Sequence, residues 1–362
     1  METLQKRYGI GIVGGGNWAK WYVPAIRNSE FLDLKGVAVG YNVEEFAKTH
    51  EMHHYPDYND MLNDQSIDIV CIILQHQLHH EYAIKAMEHG KHVLVEKPMA
   101  VTVEQCDEMI ACAEKNNVKI QVAHSRRFTP IIRKAKQILD SGELGKIHMI
   151  QSHFVHPVRP PYEVDGELLW KVDPERGQSF FLGYGCHHID YLHYLVESRC
   201  ESLFARMDKY WTDVDTVNAG MILMNFENGA YASFWELDTV APEIKEWPPF
   251  PGFQEKNEIV CENGLMVVEP YSRLLIRKNG DWETIFDLPY EEADPIHQFL
   301  REEVETLAVA ADTDTDPPCP GEDGRHTVEI ILAALESSKM KKSVELRTSP
   351  KFDKQCDPLH YD

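Results

Sequence analysis

The segment Gly14-Gly15-Gly16-Asn17-Trp18-Ala19 leaves this chain few folds to adopt, because an apolar strand-like run precedes it and a helical pattern follows. A Gly-x-Gly-x-x-Ala turn in that setting is a dinucleotide fingerprint. Gly14 permits the tight turn, Gly16 lets the backbone approach a pyrophosphate, and Ala19 keeps helix and strand close. Asn17 and Trp18, inside the turn, belong with the expected cofactor contacts.

The residues downstream keep the rhythm such a fold needs. Strands are expected at 8–14, 34–39, 67–74, 93–96 and 119–123, with helices at 18–28, 43–51, 58–63, 80–89 and 103–116. Continuous β-branched runs separated by amphipathic helices predict a parallel, doubly wound α/β sheet. Its fourth strand ends in Glu96-Lys97-Pro98. Ligands gather at the carboxyl ends of such strands, so Lys97 puts an ammonium where cofactor and substrate would meet.

After Arg127-Phe128-Thr129-Pro130 the pattern changes to a helix at 131–141 and then mainly strands: 146–153, 203–210, 216–226, 230–237, 257–260, 264–269 and 274–278. Strands with few helices between them predict a second, α+β domain built on a large open antiparallel sheet. The expected division is 1–128 for dinucleotide binding, 129–346 for substrate binding and oligomerisation, and 347–362 as a tail. The last helix, 325–338, is expected to pack back on the first domain. A proline-rich loop, Trp247-Pro248-Pro249-Phe250-Pro251, reads as a lid or subunit contact.

A formal net charge of −23 opposes nucleic acid and anionic membranes. No apolar stretch of about 18 residues, signal peptide or Cys-x-x-Cys is present, and the eight cysteines are scattered. A cytoplasmic protein with reduced thiols is expected. Six histidines (76, 79, 80, 187, 188 and 193) lack His-Glu-x-x-His or paired-cysteine spacing, so no metal site is expected.

An acidic residue about 20 positions beyond the fingerprint normally grips the adenosine ribose. Strand two instead ends Val39-Gly40-Tyr41-Asn42, and Tyr41 or Asn42 is expected to take that contact. No Arg or Lys stands nearby for a 2′-phosphate, while Glu44 and Glu45 would repel one, so NAD is favoured over NADP. A second cluster, Gly183-Tyr184-Gly185-Cys186-His187-His188-Ile189-Asp190, opens a helical pattern. His187, at the helix start, suits a general base near neutral pH.

Together these features resemble the glucose–fructose oxidoreductase / inositol dehydrogenase / MocA (Gfo/Idh/MocA) family. Lys91-His92-Val93-Leu94, Arg126-Arg127-Phe128, Trp170-Lys171-Val172-Asp173-Pro174, His187-x-Ile189-Asp190 and Gly321-Glu322-Asp323-Gly324 add to the likeness, which spans residues 8–346. It implies that Lys97 stabilises a developing alkoxide and that His187 exchanges the hydroxyl proton. It also implies that Glu96, Leu74 and His79 border the cofactor, that Arg126 and Tyr184 meet substrate, and that the chain forms dimers or tetramers. Tyr162, Trp170 and Trp247 are candidates to stack on a sugar face.

Two departures stand out. The family's aspartate four residues before the histidine is Gly183 here, which should lower imidazole basicity; Asp173, Lys171 or Tyr184 are candidates to replace it. The family's small Thr-Pro turn after strand three is Leu74-Gln75-His76 here. The expected function is NAD-dependent oxidation of a secondary alcohol in a sugar, cyclitol or glycoside, with a glucoside C3 hydroxyl foremost. The alternatives are a redox-neutral glycosidase or lyase that keeps NAD bound, and a non-catalytic NAD-binding regulator.

Overall fold

The computed structural model describes residues 4, 6–156, 163–164, 167–168, 173, 181–210, 216–238, 254–287 and 296–346. By contacts these residues form two units. The first holds the chain up to Ser125 and returns over Ile296–Val328; the second lies within Arg126–Pro295 and Glu329–Ser349. Segment 296–328, expected in the second domain, therefore belongs to the first.

The first unit has strands β1 (Tyr8–Val13), β2 (Leu32–Ala38), β3 (His53–Tyr55), β4 (Ile69–Ile72), β5 (His92–Glu96) and β6 (Ile120–Ala123). Among the described residues they form one parallel sheet in the order β3-β2-β1-β4-β5-β6. All of β1 and β4 is buried, as a strand covered on both faces requires. Each fully buried Ile or Val there contributes about 1.5–3 kcal/mol of hydrophobic transfer.

The connecting helices are α1 (Ala19–Arg27), α2 (Val43–Thr49), α3 (Tyr58–Asn63), α4 (His79–Glu88) and α5 (Val103–Asn116). The last shows why its ends fall where they do. The Thr102 hydroxyl accepts the Gln105 N–H at 3.2 Å, a cap worth about 1 kcal/mol, and Asn117 closes the helix in the left-handed region. Strand β3 had no counterpart in the sequence reading, since three residues carry no periodicity.

The second unit begins with α6 (Pro130–Asp140) and contains α7 (Cys186–Val196). Its strands are β7 (Ile147–His156), β8 (Glu163–Val164), β9 (Glu167–Leu168), β10 (Cys200–Asp208), β11 (Ala219–Phe226), β12 (Tyr231–Asp238), β13 (Gln254–Cys261), β14 (Gly264–Glu269), β15 (Arg273–Lys278), β16 (Asp281–Asp287) and β17 (Val344–Glu345). Strands β8 and β9 pair antiparallel with each other. The others make one sheet in the order β16-β15-β14-β13-β7-β12-β11-β10-β17, antiparallel except where β12 runs parallel to β7. Strands β10 and β11 alternate from Leu203 and Met221 onward: Leu203, Ala205, Ile222 and Met224 are buried, while Phe204, Met221 and Leu223 are exposed.

Helix α8 (Ile296–Thr313) was not anticipated. Its charged run Arg301-Glu302-Glu303 obscures the apolar face of Leu300, Val304, Leu307 and Ala308, all buried. Helix α9 (Gly321–Met340) starts four residues earlier than expected. Gly321-Glu322-Asp323-Gly324, read as a turn, is its first turn, where acidic side chains complement the helix dipole.

Candidate active site

The fingerprint turn is built for close approach. Gly14 has φ +119°, and a Cβ there would stand 2.0 Å from the Ile73 carbonyl oxygen, so only glycine fits. Gly16 and Asn17 are exposed, Trp18 is half-buried and Ala19 is buried. Trp18 precedes α1 with no side-chain cap on the first turn. The first N–H groups of α1 are thus not taken by a cap, which fits the pyrophosphate of a dinucleotide. Gly40, also at φ +119°, packs against this turn: its Cβ would lie 2.9 Å from the Gly15 nitrogen. That contact brings the end of β2 to the fingerprint. Asn42 sits there in the left-handed region and Tyr41 is 88% exposed, both open to a ribose.

Strand β5 delivers Lys97 to the same edge of the sheet, with β4 between it and β1. Lys97 is half-buried, whereas Glu96 beside it is buried. Glu96 Oε1 accepts from the Trp18 indole at 2.5 Å and faces the Tyr22 hydroxyl at 2.8 Å, while Oε2 accepts the Lys97 N–H at 3.1 Å. The carboxylate thus ties the fingerprint to the lysine rather than opening toward a ligand. The Tyr22 hydroxyl also lies 3.0 Å from Glu303 Oε2 on α8. The single hydroxyl proton donates to one of these two carboxylates at a time. Burial, the largest cause, pushes the Glu96 carboxyl above the usual range.

His79 is fully buried, its Nδ1 2.8 Å from the Pro98 carbonyl and its Nε2 3.1 Å from the Leu74 carbonyl. Burial lowers it to about 4, so the ring is neutral and donates to one of these carbonyls. It laces the ends of β4 and β5 together. Leu74 itself is half-buried beside the turn, its side chain 3.5 Å from where a Gly14 Cβ would lie.

In the second unit a π-helical turn, Phe181–Gly185, runs into α7 and places His187 in its first turn. His187 and Tyr184 are half-buried. Such turns are frequent at functional sites. Behind His187 the polar groups are locked. Arg126 Nη1 donates to Glu255 Oε2 at 2.5 Å and to His188 Nε2 at 2.7 Å, and the Tyr191 hydroxyl donates to Glu255 Oε1 at 2.6 Å. His188 stacks on Phe234 with ring centroids 5.3 Å apart. Burial lowers it to about 4, so the neutral ring carries its proton on Nδ1. Glu255, despite complete burial, is held at about 2 by the Arg126 guanidinium. A second buried pair joins Arg127 to Asp190, at 2.8 and 2.6 Å.

Arg126, expected to meet substrate, is thus committed to Glu255 and His188 and is nearly inaccessible. Tyr22, Glu303 and Glu255 were not singled out from sequence, since their partners lie 74, 281 and 129 residues away. Tyr162, Trp170 and Trp247 lie outside the described residues.

Comparison with known proteins agrees with this fold. Residues 8–124 match the oxidoreductase family model with an NAD-binding Rossmann fold, and residues 132–267 match the GFO/IDH/MocA C-terminal domain. The chain is 31% identical over 342 residues to 1-carboxy-3-chloro-3,4-dihydroxycyclohexa-1,5-diene dehydrogenase of Comamonas testosteroni, covering 78% of this chain and 82% of the relative. It is 24% identical over 300 residues to myo-inositol 2-dehydrogenase of Thermotoga maritima, covering 81% and 84%. Among solved structures, levoglucosan dehydrogenase in complex with NADH and levoglucosan superposes with a TM-score of 0.82 at 21% identity, over 95% of this chain and all of that one. From both its halves and these relatives, the chain belongs to the Gfo/Idh/MocA family of NAD-binding oxidoreductases.

Proposed function

We propose that this protein is an NAD-dependent dehydrogenase acting on a secondary alcohol of a sugar, cyclitol or glycoside, with a glucoside C3 hydroxyl as the favoured position. The observation that carries the reading is Lys97, half-buried at the carboxyl end of β5 and fixed through Glu96 to the fingerprint turn. Bound at that turn, the nicotinamide supplies the hydride acceptor. The first N–H groups of α1 hold the pyrophosphate, and Tyr41 and Asn42 meet the ribose. Glu44 and Glu45, in the first turn of α2, disfavour the extra phosphate of NADP.

His187 takes up the hydroxyl proton, and the Lys97 ammonium stabilises the alkoxide as it develops. The relatives' names support a polyhydroxylated ring as substrate: one acts on a dihydroxycyclohexadiene, one on myo-inositol, and one was solved with levoglucosan. The exposed row Phe204, Met221, Leu223 and Tyr231 supports pairing of two copies through this face of the sheet.

The test is a panel of cyclitols, free sugars and methyl glycosides, followed by nicotinamide absorbance, with the product located by NMR. A 3-keto-glycoside accompanied by NADH supports the reading. Glycoside cleavage without net NADH would replace it with the redox-neutral alternative. No turnover on the panel, with NAD bound, would favour the regulator.

A further inference from the structure

Trp18 and Tyr22 stand four residues apart at the start of α1, the spacing that puts two side chains one above the other on a helix face. Both reach the same atom. The Trp18 indole donates to Glu96 Oε1 at 2.5 Å, and the Tyr22 hydroxyl lies 2.8 Å from it. Tyr22 is fully buried, and so is Glu303 of α8, whose Oε2 is 3.0 Å from the same hydroxyl. Glu303 is itself fixed, since its carbonyl accepts the Gln121 amide of β6 at 2.7 Å. Two residues on, Glu305 Oε1 accepts the Ser29 hydroxyl, just beyond α1, at 2.6 Å. Helix α8 is thereby joined to the flank of α1 at two points, and Tyr22 is held in one place. A phenylalanine would fill nearly the same volume, and a buried hydroxyl is unfavourable unless hydrogen bonds satisfy it.

The need for such a tie lies in the order of the chain at the end of β5. Glu96 and Lys97 are adjacent and opposite in charge, and an unrestrained carboxylate is drawn to an ammonium beside it. Burial strengthens that attraction by excluding water. An ammonium occupied in this way is a poorer stabiliser of a developing alkoxide. Glu96 is instead held at both oxygens: Oε1 by Trp18 and Tyr22, Oε2 by the Lys97 N–H at 3.1 Å. The Lys97 charge opposes the effect of burial on the Glu96 carboxyl, so the two groups lie within electrostatic reach of each other.

We infer that Tyr22 is a positioning residue for Lys97: together with Trp18, and steadied by Glu303, its hydroxyl keeps the Glu96 carboxylate on the fingerprint side, so that the ammonium serves the substrate rather than its neighbour. The inference rests on the reading proposed above, in which Lys97 stabilises the alkoxide. Tyr22 is fully buried and acts only through Glu96. That dependence separates positioning from general support of the fold.

The experiment is a double-mutant cycle of wild type, Tyr22→Phe, Glu96→Gln and the double variant, with Lys97→Ala as reference. It is read by kcat at saturating NAD, KM, NAD affinity by calorimetry, and hydrogen exchange of the Lys97 amide in NAD-free protein. Tyr22→Phe keeps the ring and removes the hydroxyl. It should lower kcat about tenfold, leave KM and NAD affinity within about twofold, and speed exchange of the Lys97 amide about tenfold. Glu96→Gln has no charge to occupy the ammonium, so adding Tyr22→Phe to it should change kcat by less than about twofold. A Tyr22→Phe kcat equal to wild type, an equal loss in both backgrounds, or a loss carried by KM or NAD affinity overturns the inference and leaves the role of Lys97 intact. If Lys97→Ala retains wild-type turnover, the alkoxide reading itself falls. Should Tyr22→Phe fail to fold, the same cycle with Trp18→Phe decides: coupling to Glu96→Gln supports the inference, and additivity overturns it.

Discussion

Each unit buries a cluster of charge beside its candidate catalytic residue, and the two solve the cost of burial differently. Near Lys97, the acids Glu96 and Glu303 bracket one tyrosine, and burial pushes the Glu96 carboxyl up into a range where it can hold a proton more readily. Near His187, the Arg126 guanidinium neutralises Glu255 outright. A proton can be removed by a change of pH, whereas a guanidinium remains charged throughout. The first cluster is therefore adjustable, and the second is a fixed frame.

The sharpest way to break the comparison is Arg126→Met. It leaves Glu255 buried without its cation and should cost about 3–5 kcal/mol of stability, read by urea unfolding. Lys97→Ala comes next. It should lower turnover by about 10²–10³, as loss of a transition-state donor does, while isothermal calorimetry shows NAD affinity largely intact. Tyr22→Phe removes the shared hydroxyl from the adjustable cluster. It should cost about 1–3 kcal/mol and leave α7 unaffected in hydrogen exchange.

Acid should separate the clusters by sign. Glu255 is depressed to about 2 in the folded protein, so its contribution is present above the ordinary carboxylate range and is lost as pH falls toward 2. Glu96 is raised, so its ionisation strains the fold and the strain is relieved as pH falls through its elevated folded value. Hydrogen exchange between neutral pH and about pH 4 should therefore show β5 and α8 gaining protection before α7 and β13 lose any. The smallest effect expected is cofactor choice: NAD should bind at least about tenfold tighter than NADP, or 1.4 kcal/mol, by calorimetry. Equal affinities would remove Glu44 and Glu45 from the selection.

What could be read from sequence follows the range of the interactions. The glycine turn, the strand before Lys97 and the helix after His187 announce themselves within a dozen residues, through punctuation and periodicity. The doubly wound sheet and the mainly antiparallel second sheet were legible for the same reason. Arg126 was given to substrate because an arginine beside a strand end looks available; its partner Glu255 lies on a strand 129 residues later. Glu236, buried on β12, is a charged residue inside a strand pattern, and nothing local says that it faces inward. Helix α8 went unseen because acids that are themselves buried, Glu303 and Glu305, interrupt the apolar face it turns inward.

The return of residues 296–328 to the first unit has a consequence for how the protein is made. Tyr22 meets Glu303 across 281 residues, and the Gln121 amide donates to the Glu303 carbonyl at 2.7 Å. A ribosome adding about 5–20 residues per second needs roughly 15–55 s to synthesise that interval. From the completion of β6 onward, the nucleotide-binding sheet waits with one flank of apolar side chains uncovered, and the second unit waits longer still for its own last segment, Glu329–Ser349. A nascent chain arrested before residue 296 would be the form most in need of a chaperone.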